Sequence, residues 1–426
     1  MTVRDTSLLK RLSQGFPLTI GEEWLSYGRL YFARLLGQAL GVVLTIASAR
    51  VLQPEGRGEF ASLSVAAVVG VQVLNLGLSS SLAVLFARRP ARIGRYRRHL
   101  AYLAIACAAV LTALGTVLTW IRPSSALTWW PLWAAWVPLL LLGLYQGAAL
   151  VALQDARALA RIELAGRCCA VVLGGSSLLV YGSRLGPFLM AVVTGDALIA
   201  ALGAVYLARL FPGRPASFRR AAQFFRSALR LGLRAYPPLV LFFLLVKSDI
   251  LVLRLVRGAA ETGVYSIASQ IVDVALILPS TIGALFLASV VRSKHPATEL
   301  LRVLRPVALA VGCLALAMLI FGHWAILWVF GSPFVGAYPA LVLLLPGFVA
   351  LALLGLLSQY FASRGFPVFV SVYWLLGLIV NVSLNLLLVP RFGLLAAAGS
   401  SSVAYGLVFL LMLRRFRAEY AVEKVR

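Results

Sequence analysis

Twelve apolar stretches, each of bilayer-spanning length, follow one another along this chain, and nearly all of its positive charge falls in every second gap between them. They occupy 30–51, 60–86, 99–121, 130–154, 162–182, 186–210, 234–256, 262–290, 302–330, 338–362, 367–389 and 394–413. A run of about 20 apolar residues matches a hydrocarbon layer about 30 Å thick. With 61% hydrophobic residues and a mean hydropathy of +0.94, a soluble domain is excluded. The pattern predicts an all-α membrane protein of twelve transmembrane helices.

The net charge of +25 follows from that topology. With the N-terminus inside, roughly 30 Lys and Arg fall on the inner side and about 7 on the outer, as the positive-inside rule requires. The densest clusters are Arg88, Arg89, Arg92, Arg95, Arg97 and Arg98, then 209–234, then 292–305, and finally Arg414, Arg415 and Arg417. This predicts both termini on the cytoplasmic side of an inner membrane. The partners expected for the basic face are anionic lipid headgroups, not nucleic acid. Residues 1–27 are polar and mixed, so the first span is expected to serve as its own insertion signal. Cys107, Cys168, Cys169 and Cys313 lie in apolar spans without ligand spacing, and His99, His295 and His323 are isolated. No metal or cofactor is therefore expected.

The second half of the chain repeats the first. Gly58-Glu59-Phe60 corresponds to Gly263-Val264-Tyr265, Leu142-Gly143-Leu144 to Leu354-Gly355-Leu356, and Arg184-Leu185-Gly186 to Arg391-Phe392-Gly393. The three offsets lie near a common value of about 207 residues, so the register holds across each half. Six spans per half is an even number, so both halves enter the membrane from the same side. That is a parallel repeat about an axis along the membrane normal. The expected organisation is a cytoplasmic segment 1–29, an N-lobe 30–210, a linker 211–233, a C-lobe 234–413 and a tail 414–426. Within the linker, Phe218, Ala222, Phe225 and Leu229 form an apolar stripe opposite Arg219, Gln223, Arg226 and Arg230. This predicts an amphipathic helix over 215–231 on the inner leaflet.

Several segments carry a family resemblance. Ala49 to Gly58, reading ARVLQPEGRG, is similar to the ARxLGPEGxG segment that follows the first helix of Wzx-like polysaccharide-transport flippases. These belong to the multidrug/oligosaccharidyl-lipid/polysaccharide (MOP) exporter superfamily. Leu76 to Ser80, Val264-Tyr265-Ser266, Gly331 to Phe334, Gln359-Tyr360 with Arg364-Gly365, and Asn385 to Arg391 with Gly393 resemble the family at matching places. Gln53 stands where the family usually has Gly. Nor do the two extra helices of lipid II flippases follow span twelve, which points away from that cargo. The resemblance implies a two-lobed fold of the MATE type. It also implies a non-enzymatic flippase carrying undecaprenyl-diphosphate-linked O-antigen or exopolysaccharide units outward, alone or with other polysaccharide assembly proteins. The cargo's tail stays in lipid while its polar head crosses through a wet, cationic passage.

Few ionisable groups lie deep in the spans, and each matters because a charge at the bilayer centre costs about 2.5–3.5 kcal/mol on insertion scales. Lys247 in span seven and Asp273 in span eight fall near the midplane on consecutive antiparallel helices and are expected to meet. Lys247 would then receive the diphosphate, with Asp273 holding it until cargo or a coupling ion arrives, or the two would simply neutralise each other. Arg34 stands about one turn into span one, within reach of phosphate or of the inner interface. Asp249, a further substrate-binding candidate, lies in the outer half of span seven, where the family often carries an acid, with Arg254 as a loose partner. Asp196 in span six is a packing residue or, like Asp273, an ion-coupling group. Glu163 and Arg167 are spaced to pair with each other. Gln38, Gln72, Asn75 and Gln270 are sugar-contact candidates or interhelical hydrogen-bonders. The tract from Ala396 to Ser402 is read as close helix packing, and the Asn381 sequon as accidental. Two rivals remain open: a MATE-like exporter of organic cations, and a membrane-embedded polysaccharide polymerase or glycosyltransferase.

Overall fold

A computed structural model describes residues 20–121, 129–293, 295–365 and 367–425, with the backbone alone at some positions, among them 20–35. All regular structure among the described residues is helical. The α-helices are α1 (Ile20–Asn75), α2 (Leu78–Arg88), α3 (Ala91–Ile121), α4 (Trp130–Ala152), α5 (Ala156–Tyr181) and α6 (Leu185–Leu210). They continue as α7 (Phe218–Arg257), α8 (Ala259–Ala275), α9 (Ile277–Arg292), α10 (Pro296–Phe330), α11 (Ala337–Ser363) and α12 (Val368–Val425). Among the described residues, nine helices are long and apolar enough to cross a bilayer. Helices satisfy their own backbone polar groups, which hydrocarbon demands.

Helix breaks account for the difference between these elements and the twelve apolar stretches. Spans one and two run together in α1 across a kink at Gln53 (φ 57°, ψ 178°). Spans eleven and twelve run together in α12 across a kink at Gly393 (φ 55°, ψ −133°). Span two is interrupted at Leu76 and Gly77, both with positive φ, and resumes as α2. Span eight is divided at Leu276 into α8 and α9, and Pro279, with no N–H to offer, stands in the first turn of α9.

The linker departs from the expected separate surface helix. It is helical from Phe218, but α7 continues without interruption through Pro237 and Pro238 into span seven. Its packed face is also rotated. Ala221, Phe224 and Ala228 are buried, whereas Phe218 and Ala222 of the expected stripe are exposed. The Phe224 ring stacks on Tyr96 of α3 at 4.0 Å between centroids.

The chain gathers into two compact units. One comprises 1–45, 74–180 and 186–233; the other comprises 46–73, 181–185 and 234–426. In the first, the core gathers Leu82, Phe86, Ile93, Val137, Tyr145 and Phe188, all almost fully buried. The second is built around α11, whose most apolar window is 72% buried, against 11% for α10 at its periphery. A helix that is apolar all round belongs in such a centre.

Segment 46–73, from the first half of the sequence, packs within the second unit. Its Gly58 lies against the backbone of Ala259 and Gly263, and Gly263 lies reciprocally against Pro54 and Gly58. These are the two glycines that the internal repeat pairs, and a mutual contact of this kind is what two-fold relation produces. A Cβ at either would overlap the opposing backbone, so only glycine allows the approach. Nearby, Arg254 ion-pairs with Glu59, and Arg50 donates to the carbonyls of Trp328 and Val329.

Two opposite effects on stability are expected. Gln53 occupies a φ/ψ region nearly reserved for glycine, at a cost of about 1–3 kcal/mol. Gln53→Gly should therefore raise Tm in detergent, with a net gain of about 1 kcal/mol after the extra chain entropy of glycine is subtracted. Gly263→Ala should lower Tm, at an overpacking cost of about 1–3 kcal/mol. Differential scanning fluorimetry of the two purified variants checks both signs.

Candidate functional site

Three polar residues of α7, Lys247, Ser248 and Asp249, follow one another within the second unit, each turned toward a different neighbour. Lys247 Nζ lies 2.6 Å from Asp273 Oδ2 in α8, with side-chain exposures of 17% and 35%. Asp273 stands in the last turn of α8, where the helix dipole opposes a negative charge and favours a cation. Lys247 therefore relieves an acid in an unfavourable place. A charge-assisted contact of this length is strong, and removing one partner would leave the other uncompensated.

Asp249 is 2% exposed and sits in a different network. Its Oδ2 accepts from the Tyr265 hydroxyl of α8 at 2.5 Å and from the Ser401 hydroxyl of α12 at 3.0 Å. Its Oδ1 accepts from the backbone N–H of Ile250 at 2.7 Å. Asn381 Nδ2 donates to Ser401 Oγ at 3.2 Å, Asn385 Nδ2 donates to Asn381 Oδ1 at 2.9 Å, and Ser248 Oγ donates to the same oxygen at 3.1 Å. The spacing of Asn381 and Asn385 puts both amides on one face of the first arm of α12. Asn385 Oδ1 and Ser400 Oγ are buried with no hydrogen-bond partner among the described residues. The result is a buried, oxygen-rich cluster around one carboxylate, a composition suited to a proton or a small monovalent cation. Among the described residues, no group of three His, Cys, Asp or Glu is placed to hold a metal ion.

The expected pairing of Asp249 with Arg254 does not form. Residues five apart project from different faces of a helix, and Arg254 turns to Glu59, 195 residues earlier in the chain. Ser401 and Ser402, read as packing residues, are both hydrogen-bonded across helices: Ser401 to Asp249, and Ser402 to the Leu343 carbonyl and the Gly347 N–H of α11. Asn381, set aside as an accidental sequon, is fully buried in the network.

The other expected site residues are dispersed. In the first unit, Asp196 is 7% exposed, accepts from Trp136 Nε1 at 2.8 Å and has Arg167 Nη1 at 3.9 Å. Asn75 is buried, with both ends of its amide bonded to Ser79 across the break between α1 and α2. Gln38 is exposed and Gln270 partly buried. Arg34 lies outside the residues whose side chains are described. Sequence reasoning also passed over Arg57, which is 3% exposed, donates to Ser48 at 3.2 Å and lies over the Phe60 ring.

No protein-family model matches the chain, and no curated protein matches it in sequence. Solved structures do. An inward-facing multidrug resistance MATE family transporter of the MOP superfamily superposes with a TM-score of 0.71 at 14% identity, over 91% of this chain and 95% of that one. The lipid II flippase MurJ in an inward closed conformation gives 0.70 at 12% identity, over 91% and 87%. A MOP superfamily transporter from Pyrococcus furiosus, whose reversed binding-pocket polarity suggests a different function, gives 0.65 at 14% identity, over 94% and 96%. The chain is thus an all-α, multi-pass membrane protein with the fold of MOP superfamily transporters.

The network around Asp249 is testable through its donors. A hydrogen bond to a charged group contributes about 1.5–3 kcal/mol, so Tyr265→Phe and Ser401→Ala should each lower Tm. Because both hydroxyls serve Asp249 Oδ2, the double variant should depart from the sum of the singles, as groups sharing one partner do. Thermal unfolding of the four proteins in one detergent gives the coupling, and strict additivity would show that the donors act independently.

Proposed function

We propose that the protein is a flippase that moves an undecaprenyl-diphosphate-linked oligosaccharide from the cytoplasmic to the periplasmic leaflet of a bacterial inner membrane. The observation that carries this reading is the Lys247–Asp273 contact: one ammonium within the apolar part of the chain, held by one partly exposed carboxylate. A diphosphate is the chemical competitor for that carboxylate. It brings at least as much negative charge and several acceptor oxygens, so cargo can take over Lys247 while Asp273 is released. The polyprenyl tail needs no polar path, and no covalent step is involved. The sequence resemblance supports the same cargo class, and the MOP fold is one that a lipid II flippase also has.

Asp249 supplies the second half of the scheme. Its carboxylate is shielded, bonded by neutral donors, and only two residues along α7 from Lys247. Binding or release of a proton or monovalent cation there changes the charge beside the Lys247 pair, which couples ion occupancy to cargo affinity. Asp249 is thereby a stronger coupling candidate than Asp196, whose neighbours are Trp136 and Arg167.

A MATE-like exporter of organic cations is favoured by one observation, the deep burial of Asp249 and Asp196, and the fold suits it equally. The two readings separate at Lys247. For a flippase, Lys247→Gln should cut transport by about tenfold or more, the effect of losing roughly 1.4 kcal/mol of anion contact. For a cation exporter, the same change removes a repulsive charge and should leave export equal or better.

In cells, depletion of the protein should cause lipid-linked oligosaccharide to accumulate in the cytoplasmic leaflet. An unchanged leaflet distribution would overturn the proposal. The charge-exchange pair gives a finer test: Lys247→Asp and Asp273→Lys should each abolish complementation, and the double variant should regain part of it. Failure of the double to exceed the singles would remove the pair from the mechanism.

A further inference from the structure

The first unit contains a cavity of about 780 Å³ between α3, α4 and the linker turns of α7. Its walls are almost wholly apolar, formed by Leu103 and Val110 of α3, Tyr145 of α4, and Phe218, Phe225 and Leu229 of α7. The α7 residues belong to the apolar stripe that the linker sequence displays. The neighbouring face, with Phe224 and Ala228, is the one that packs on protein. The linker therefore has a wider apolar arc than its protein packing uses, and the surplus lines this cavity. Leu103 and Val110 are 40% and 66% exposed, so the cavity opens sideways.

The lining also holds two basic side chains, His99 in the N-terminal third of α3 and Arg226 of α7. His99 is 8% exposed, and its Nδ1 is buried with no hydrogen-bond partner among the described residues. The flanking sequence is strongly basic, with Arg92, Arg95, Arg97 and Arg98 just ahead of His99. On the charge-derived orientation this is the inner-leaflet end. From His99 to Leu111, the last α3 residue of the lining, the helix rises about 18 Å, at about 1.5 Å per residue. One leaflet of hydrocarbon is about 15 Å deep.

We infer that this cavity is a binding site for an anionic phospholipid of the inner leaflet, with one acyl chain in the slot and the headgroup phosphate against Arg226 and His99. An apolar slot of single-leaflet depth fits one acyl chain, whereas a polyprenyl anchor many isoprene units long would overrun it. The cationic end sets the headgroup charge. The lipid would join the linker to α3 and so tether the segment between the two halves of the repeat. The inference is independent of the cargo.

The test is native mass spectrometry of the full chain after reconstitution in bilayers of equal phosphatidylglycerol and phosphatidylcholine. The wild type should keep one phosphatidylglycerol through delipidation, with a preference of about fivefold, what one cation facing an anionic headgroup confers. Ala222→Trp and Ala106→Trp fill the slot from α7 and α3 at exposed positions, and each should lose the adduct while keeping an unchanged Tm in detergent. Arg226→Ala should keep a lipid but lose the preference for the anionic one. Equal lipid retention by the wild type and both Trp variants would overturn the inference. So would a wild type without headgroup preference, or recovery of a polyprenyl phosphate instead of a phospholipid from protein purified out of native membranes.

Discussion

In hydrocarbon no water is at hand to answer a polar group, so each backbone amide and each charge must find its partner within the protein. Much of this structure follows from that constraint. It makes every described element a helix. It explains why breaks in those helices are held by side chains: Asn75 bonds Ser79 across the gap after α1, and Glu261 accepts from the Leu394 N–H just past the kink at Gly393. It also explains why three charges in the second-unit part of α7 have partners, Lys247 in Asp273, Asp249 in hydroxyls and Arg254 in Glu59.

Each kind of match has a different consequence. The Lys247–Asp273 pair is a bond between full charges that stays partly open to its surroundings, which is what the proposed exchange with a diphosphate requires. The Asp249 network consists of a carboxylate and neutral donors in near-complete burial, so in the proposed scheme its occupancy by a proton or cation would be governed by access rather than by competition. The Glu59–Arg254 pair, together with the Gly58–Gly263 approach and Arg50 on the Trp328 and Val329 carbonyls, fastens segment 46–73 to the second unit. In the first unit, Tyr206 and Asp155, and Trp136 and Asp196, make comparable matches within a smaller polar inventory.

Sequence alone made the fold legible, because bilayer length and charge alternation are one-dimensional signals. The Lys247–Asp273 contact was legible for a related reason: both are isolated charges at matching depth on consecutive antiparallel helices. The surroundings of Asp249 were not. Tyr265, Asn381 and Ser401 are neutral residues, the last two more than 130 residues beyond Asp249 in the chain, and nothing in periodicity states which helix faces which. Asn381 and Asn385 did carry a signal, two amides four residues apart in an apolar span, which dismissing the sequon at Asn381 as accidental left unused. Arg254 was assigned to the nearest acid in sequence, although five residues is the wrong helical interval. The linker stripe was read with the right residue types, but the packed face lies one position away, because the sequence cannot show that part of an apolar arc faces a cavity.

The most direct measurement of the central claim is made with purified protein in sealed vesicles loaded with a diphosphate-linked oligosaccharide lipid. The readout is the rate at which the sugar head becomes accessible to a membrane-impermeant glycan-modifying enzyme added outside. The account predicts a rise in that rate with the wild-type protein and a rise about tenfold smaller, or less, with Lys247→Gln. Equal rates for the two proteins, or no rise with the wild type, would contradict it.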